Sequence, residues 1–137
     1  MEIDDITGKI LDVSMKIHKG LGPGLLESVY EVVLAKLLKK EGLNVERQVP
    51  VSFQFEGIKF QEGFRVDLLV ENLVIIELKS VESTLPVHSK QLLTYLRLMN
   101  LEVGLLINFG EATLKSGLRR VVNSHKPSAS PRLRVNK

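Results

Sequence analysis

The stretch VDLLVENLVIIELKS, residues 66–80, constrains the fold more than any other part of the chain because its two apolar runs carry three charged groups. Runs this apolar are typical of strands that are buried on both faces of a sheet. Asp67 lies near the start of the stretch, and Glu77 and Lys79 lie near its end. Burying an unpaired charge is costly, so such groups are normally ion-paired, metal-bound or placed at a strand end that faces a cleft. These three residues are therefore the first candidates for a functional site.

The length of the loop between the two runs decides whether the two acids meet. A two-residue loop would pair Asp67 with Ile76 and point the Asp67 side chain away from Glu77. A three-residue loop over residues 71–73 pairs Asp67 with Glu77 directly, and Asn72 tolerates the left-handed conformation that such loops often need. A site shared by the two acids therefore requires the three-residue loop.

Two acids and a lysine on one face have the chemistry of metal-assisted hydrolysis. Glu77 and Lys79 are two residues apart on a strand, so their side chains leave the same face. Neighbouring carboxylates repel, which raises one pKa unless a cation joins them. A hard ion such as Mg²⁺, with Mn²⁺ as a substitute, takes carboxylate oxygens, and the carbonyl of Leu78 can supply another ligand. Lys79 would then orient the attacking water or stabilise developing negative charge, as phosphodiester cleavage requires.

An ordinary ion pair is the alternative interpretation of the same three residues. Asp67 or Glu77 paired with Lys79 at a sheet edge would satisfy the charges without any catalytic role. The spacing occurs in many proteins that are not enzymes, so it leaves both interpretations open.

The periodicity of the whole chain predicts a mixed sheet flanked by helices, in an α/β or α+β fold. The predicted elements are, in order, helices over 3–20 and 25–42, strands over 45–55, 58–64, 65–70 and 73–80, a helix over 87–100, and strands over 103–110 and 118–122. Hairpins come first and a helical crossover follows them, which indicates antiparallel strands joined to a parallel one.

The second helix begins with GLLESVY and offers one more acid. Glu27 and Tyr30 are three residues apart and share a face. The apolar face is predicted from Leu26, Val29, Val33 and Leu37. Glu27 is a candidate catalytic and metal-binding residue, and Tyr30 a supporting one. Alternatively, a glutamate in a first turn simply favours the helix dipole.

The third predicted helix carries a polar face formed by His88, Gln91 and Tyr95, at steps of three and four residues. Such a face can hydrogen-bond nucleic-acid phosphates or brace Glu77 and Lys79. The alternative is a solvated surface, with His88 acting only as a cap for the helix start.

Composition sets limits on the class of protein. There is no cysteine among the 137 residues, so disulfides and thiolate metal sites are excluded. No apolar run approaches the roughly 20 residues of a membrane span, and the amino-terminal segment does not resemble a signal peptide. We expect a cytoplasmic protein without a membrane partner, built as one domain over residues 1–122.

The charge is distributed unevenly along the chain. Residues 1–118 hold 13 basic and 16 acidic residues, whereas residues 119–137 hold six basic residues and no acid. We expect residues 123–137 to form a basic, flexible tail. It is either a solvated terminus or a non-specific contact for nucleic-acid phosphates.

Several motifs together resemble one protein family. They are LGPGLLESVY, RVDLLV, VIIELKS, HSKQLLTYL and GLLINFG, in that order, between about Ile6 and Val122. The chain resembles the bacterial and archaeal GxxExxY proteins, through Gly24, Glu27 and Tyr30, and these are similar to a branch of the PD-(D/E)XK nuclease superfamily. The resemblance implies a restriction-endonuclease-like core of helix, three strands, helix and strand.

The resemblance also implies roles for individual residues. Asp67 and Glu77 match the metal-binding acids, Lys79 the catalytic lysine and Glu27 an additional first-helix glutamate of some branches. Gln91 and Tyr95 match the Q-x-x-x-Y element of the exonuclease-like branch, which reads QLLTY in this sequence.

The function expected from these observations is Mg²⁺-dependent hydrolysis of phosphodiester bonds in DNA or RNA. The alternative is a non-catalytic module that binds nucleic acid or a protein and keeps the nuclease fold. A third interpretation is an ordinary structural domain whose charges form ion pairs. A homodimer or a protein partner would supply additional surface for choosing a substrate.

Overall fold

The computed structural model describes residues 1–124 and the backbone of residues 134–136, which form three helices and six strands. The helices are α1 (Ile3–Leu21), α2 (Glu27–Lys40) and α3 (Pro86–Met99), and the strands are β1 (Val45–Phe55), β2 (Ile58–Val70), β3 (Val74–Lys79), β4 (Val103–Asn108), β5 (Leu118–Val122) and β6 (Arg134–Asn136). No helix in the described part of the chain has the length and apolar character needed to cross a membrane.

The strands form one mixed sheet in the order β5-β4-β3-β2-β1-β6. β3 and β4 are parallel, and every other neighbouring pair is antiparallel. Parallel neighbours need a long crossover, which α3 supplies between β3 and β4. The prediction of a mixed sheet with flanking helices is confirmed, and the architecture is consistent with a restriction-endonuclease-like core.

The helices cover both faces of the sheet. On one face, Ile10 of α1 and Leu34 of α2 share a core cluster with Ile76 of β3. On the other face, Leu92 of α3 shares a second cluster with Ile75. Because adjacent residues of a strand point to opposite faces, β3 is buried on both, as its apolar sequence indicates.

The segments predicted as two strands over 58–64 and 65–70 are one strand, β2. Gly63 stands in the middle and does not break it, because the glycine accommodates the ring of Phe53 on the neighbouring strand: a Cβ at Gly63 would collide with that ring. The glycine therefore marks a close approach within a sheet instead of a turn.

The predicted apolar face of α2 is wrong at Leu26 and Val29, whereas Val33 and Leu37 do pack against the core as predicted. Leu26 and Val29 are exposed, whereas Tyr30 is completely buried. The buried face consists of Tyr30, Glu31, Leu34, Ala35 and Leu38. The Tyr30 hydroxyl donates a hydrogen bond to the carbonyl of Gly22 (2.5 Å) and accepts one from the amide of Leu25 (3.2 Å). A tyrosine with both bonds satisfied can be buried, so α2 turns this face to the sheet.

The predicted flexible tail falls mostly outside the described residues, which end at 124 and resume only for 134–136. The backbone of β6 pairs with β1, with Arg134 in register with Gln54 and Val135 with Phe53. This stretch of backbone is therefore part of the sheet.

Candidate active site

The hairpin between β2 and β3 has the register that a shared site requires. Leu68 pairs with Ile76, and Val70 pairs with Val74, so the loop is the three-residue one. Asn72 has a φ of 55°, and its neighbour Glu71 has a φ of 54°. The predicted loop length and the left-handed Asn72 are confirmed, and the same register places Asp67 opposite Glu77.

Each of the two acids accepts a hydrogen bond from a backbone amide of the other acid's strand. One carboxylate oxygen of Glu77, Oε2, accepts a hydrogen bond from the amide of Asp67 (2.8 Å). In return, Oδ2 of Asp67 accepts a hydrogen bond from the amide of Leu78 (2.8 Å). The backbone pairing of β2 with β3 extends only to Leu68 and Ile76, so side chains take over as acceptors where the strands separate. Both carboxylates are therefore held at the strand junction, where Asp67 is half-buried and Glu77 is buried.

A twist in the sheet brings Asp67 to this junction. Val66 belongs to the core cluster under α3, and Leu68 belongs to the cluster under α1 and α2, although residues two apart on a flat strand share a face. On the neighbouring strand, Gln48 lies between two paired residues without pairing itself and has a φ of 49°. In both strands the side chains switch from one face of the sheet to the other at this point, and Asp67 lies at the switch.

Glu77 carries the strongest electrostatic signal of the site. Its side chain is 8% exposed. Burial, followed by the charge of Asp67, raises the pKa of Glu77 to about 8, although the amide of Asp67 and the charge of Lys79 oppose the shift. A carboxyl with such a pKa holds a proton at neutral pH unless a cation compensates its charge.

Glu27 and Lys79 complete the electrostatic cluster. Partial burial raises the pKa of the Glu27 carboxyl, the charge of Asp67 raises it further, and Lys79 lowers it. Lys79 is half-buried, and in the described part of the chain it forms no ion pair with Asp67 or Glu77. The geometry therefore does not support the interpretation of these groups as an ordinary ion pair.

Three residues that the sequence interpretation missed support Asp67. The Gln48 side-chain amide donates to Oε1 of Glu31 (2.7 Å) and to Oδ1 of Asp67 (3.3 Å). Arg47 forms an ion pair with Oε2 of Glu31 (3.1 Å), and Glu31 is 5% exposed. The run Glu46-Arg47-Gln48 places three polar residues in succession, which breaks the alternation expected of a strand. That break was the available signal.

The polar residues predicted on α3 lie at different depths. Tyr95 is half-buried, and burial together with the charges of Glu77 and Asp67 raises its pKa, so its hydroxyl is close to the two acids. Gln91 is exposed. Nδ1 of His88 accepts a hydrogen bond from the amide of Leu85 (3.2 Å), which is the capping role considered as its alternative.

Tyr30 is completely buried and can act only by supporting other residues. Its buried ring stacks on Phe109 with a centroid distance of 4.5 Å and an interplanar angle of 3°. The hydrogen bonds of its hydroxyl hold the loop between α1 and α2. In the same loop, the carbonyl of Leu25 accepts a hydrogen bond from the hydroxyl of Ser80 (2.6 Å). Tyr30 can therefore support the position of Glu27 but cannot contact a substrate directly.

A second polar cluster lies beside the first. Asn108 pairs in register with Lys79 and is completely buried. Its Oδ1 accepts hydrogen bonds from the amides of Val81 (3.1 Å) and Gly110 (3.0 Å), and its Nδ2 donates to Thr84 (3.1 Å) and Glu111 (3.2 Å). We call Asn108, Thr84 and Glu111 the loop clamp, because they fix the segment that connects β3 to α3.

The predicted metal ligands were Asp67, Glu77, Glu27 and the carbonyl of Leu78. In residues 1–124, no group of three or more acidic, histidine or cysteine side chains is arranged to hold a metal ion, and the roles of Glu27 and of the Leu78 carbonyl as ligands stay predictions. The pair of Asp67 and Glu77 does suit a hard divalent cation. Mg²⁺ commonly uses one or two protein carboxylates and completes its shell with water and substrate phosphate.

Comparison with known proteins gives one match, to a family model. The family model of the PD-(D/E)XK nuclease superfamily matches residues 4–121. No curated protein and no solved structure gives a significant match. The match includes every element from α1 to β4 and all of the candidate site residues. By this match, the chain belongs to the PD-(D/E)XK nuclease superfamily.

Proposed function

We propose that the protein is a Mg²⁺-dependent nuclease that hydrolyses phosphodiester bonds in DNA or RNA, and that Mn²⁺ can replace Mg²⁺. The observation that carries the proposal is the pair of Asp67 and Glu77, held together where two strands separate, with the pKa of Glu77 raised to about 8. Such strongly shifted groups in a cleft are typical of functional sites. Membership of a nuclease superfamily supports the same conclusion.

In this proposal Asp67 and Glu77 would hold the metal ion, and Glu27 would supply a further negative charge beside them. The ion, when bound, supplies Lewis acidity toward the phosphate and lowers the pKa of a water. The hydrogen bonds from the amides of Asp67 and Leu78 fix the two carboxylates before any ligand arrives. The pair is thus already positioned for its ligand, which avoids part of the cost of ordering it.

Lys79 has the role of charge stabiliser. It emerges from β3 two residues after Glu77 and shares its face. Because its ammonium forms no ion pair within the described residues, it is available to a phosphate oxygen or to the attacking water. A preorganised positive group at this position stabilises the negative charge that develops during hydrolysis.

We further infer that the chain is a member of the GxxExxY branch. The three motif residues have separate physical tasks that support this assignment. Gly24 adopts a φ of 104°, which favours glycine, Glu27 interacts with Asp67 and Lys79, and Tyr30 braces the loop before α2. The motif therefore describes one structural unit that presents a glutamate to the site.

The test is a cleavage panel on single-stranded, duplex and branched DNA and on RNA, with wild type and Lys79→Ala, in Mg²⁺ and in chelator. We expect metal-dependent cleavage of at least one substrate by the wild type and its loss in the variant. Binding without cleavage by either protein would instead support the non-catalytic nucleic-acid-binding module. Absence of both binding and cleavage would favour a protein-interaction role, with a homodimer or another protein as the partner.

A further inference from the structure

The hairpin of β1 and β2 extends well past β3, its neighbour on the side of the candidate site. β3 pairs with β2 only at Leu68–Val70, so residues 58–66 of β2 have no strand on that side in the described part of the chain. The protruding part begins directly beside Asp67. It therefore forms a surface that is continuous with the candidate active site.

Aromatic side chains are concentrated on this hairpin. The chain has only five phenylalanines and two tyrosines. Tyr30 and Phe109 are completely buried in the core. The other five rings lie on the hairpin or against it, at Phe53, Phe55, Phe60, Phe64 and Tyr95. Phe53, Phe55 and Phe60 thus lie outside both core clusters, whereas Phe64 and Tyr95 are half-buried against the second cluster. Packing alone does not require three of seven rings on a protruding hairpin.

Four of these rings form a continuous row, which we call the aromatic row. From the hairpin end, Phe60 lies 5.1 Å from Phe53, Phe53 lies 6.3 Å from Phe64, and Phe64 stacks on Tyr95 at 4.1 Å, measured between ring centroids. Phe60, at the outer end, is 44% exposed. At the inner end, the charges of Glu77 and Asp67 contribute to raising the pKa of Tyr95. The row therefore leads from solvent to the two acids.

We propose that the aromatic row is a binding track for a single-stranded nucleic acid, whose unpaired bases contact the rings while its backbone reaches the site of Asp67 and Glu77. The cleavage at the end of the track rests on the proposed function, whereas binding along the track does not. Unpaired bases offer their faces to aromatic side chains, and a duplex keeps those faces stacked inside. The chemistry of the row therefore selects single strands over duplexes.

The composition of the carboxy-terminal segment fits the same ligand. The backbone of β6 runs next to β1 and places Val135 in register with Phe53 and Arg134 in register with Gln54. The segment to which β6 belongs, residues 123–137, has four basic residues and no acid in the sequence: Lys126, Arg132, Arg134 and Lys137. A chain that contains both basic residues and exposed stacking rings has the usual composition of proteins that bind single strands.

The experiment measures binding of a fluorescein-labelled oligothymidylate of about 12 nucleotides, within the usual site size of single-strand binders. Fluorescence anisotropy in chelator excludes cleavage. Phe60→Ala removes the outermost ring of the row, and Phe60→Tyr keeps a ring there. Phe55→Ala is the matched control, because Phe55 is 45% exposed on the same hairpin but makes no ring contact within the described residues.

We expect Phe60→Ala to weaken binding about tenfold or more, the effect of losing one stacking ring, while Phe60→Tyr and Phe55→Ala stay within about twofold of wild type. A duplex of the same length should bind more weakly than the single strand. Equal losses in Phe60→Ala and Phe55→Ala, or no loss in either, would overturn the proposal. A change in the gel-filtration volume of Phe60→Ala without a change in binding would also overturn it and would indicate a second copy of the chain on the row.

Hydrolysis of bis(p-nitrophenyl) phosphate separates this inference from the proposed function. This small phosphodiester can occupy the site of Asp67 and Glu77 without reaching Phe60. We expect Phe60→Ala to hydrolyse it like the wild type in Mg²⁺. If the wild type cleaves neither this compound nor nucleic acid, the proposed function fails, and the anisotropy result still decides whether the row binds single strands.

Discussion

Two polar clusters lie side by side at the end of the central strands, and they are satisfied in opposite ways. In the loop clamp, Asn108 uses both its acceptor and its donor groups, and a hydrogen bond from Thr84 is the main cause that lowers the pKa of Glu111. In the neighbouring cluster, burial and mutual repulsion raise the pKa of Glu77. The first arrangement stabilises the fold. The second costs stability while both carboxylates are charged, as the proposed cation site predicts.

The largest expected effect is the pH dependence of stability that Glu77 imposes. Its pKa is 4.5 when unfolded and about 8 when folded. Below pH 4.5 both states are protonated, so the group has no effect. Between pH 4.5 and about 8 the unfolded state loses its proton first, so stability falls as pH rises, by roughly 1.4 kcal/mol per unit of the pKa difference.

Glu77→Gln should remove this fall in urea unfolding curves recorded in chelator across that range. Glu111 should act in the opposite direction, because its pKa is lowered in the folded state. It stabilises the fold above pH 4.5, and this contribution is lost as pH falls through the folded pKa, so Glu111→Gln should remove a loss of stability at low pH. Identical pH profiles for wild type and Glu77→Gln would contradict the comparison.

The second effect is catalytic. Lys79→Ala should reduce turnover by about 10²-fold, which is the scale for losing one preorganised charge stabiliser. Removing the positive charge also relieves competition with the metal ion, so Mg²⁺ should bind as tightly as before or more tightly. Initial-rate measurements are compared with Lys90→Ala, an exposed lysine of α3. A variant that keeps full turnover while losing Mg²⁺ affinity would show that Lys79 only supports the site.

The third effect concerns the loop clamp. Asn108→Ala leaves the amides of Val81 and Gly110 without their acceptor, so unfolding free energy should fall by about 2–3 kcal/mol. Asn123 is the control, because it is also buried but its side chain makes one described hydrogen bond, to the carbonyl of Leu101 (3.2 Å). Asn123→Ala should cost less. Equal losses in urea unfolding would mean that the clamp is not exceptional.

The smallest effect is expected at Gln48, which connects the buried Glu31 to Asp67. Gln48→Ala removes the amide and keeps a strained φ of 49°, whereas Gln48→Gly removes the amide and relieves the strain. The glycine variant should be more stable by up to about 1 kcal/mol, and both should lose a few-fold in Mg²⁺ affinity. Calorimetric titration and unfolding curves measure the two effects separately. Unchanged Mg²⁺ affinity in both variants would exclude Gln48 as a positioning residue.

The sequence predicted the parts of this structure that depend on the number of residues in a strand or a loop. The strand periods and the number of residues between two apolar runs determine the register of a hairpin, so the position of Asp67 opposite Glu77 followed from the loop over 71–73. The same reasoning placed Lys79 on the face of Glu77. Side-chain alternation along a strand is enough to predict these positions, because shifting the register by one residue would turn every side chain to the opposite face of the sheet.

The sequence did not predict features that depend on a tertiary partner. Tyr30 was placed outside the core because aliphatic neighbours are more apolar, yet its hydroxyl finds two partners in the preceding loop. Gln48 was missed because its role needs both a local twist and the carboxylate of Glu31 on another element. In both cases a hydrogen-bond partner outside the residue's own helix or strand reversed the local preference.

The most direct test of the central claim, that Asp67 and Glu77 form a cation site, is thermal unfolding of the wild type and Glu77→Gln with Mg²⁺ and with chelator. The wild type should be stabilised by Mg²⁺, by about 2.7 kcal/mol at a hundredfold excess over Kd. Glu77→Gln should be at least as stable as the wild type in chelator and should gain nothing from Mg²⁺. If Glu77→Gln melts far below the wild type in chelator, or if Mg²⁺ stabilises both proteins equally, Glu77 is a structural group and the account is wrong.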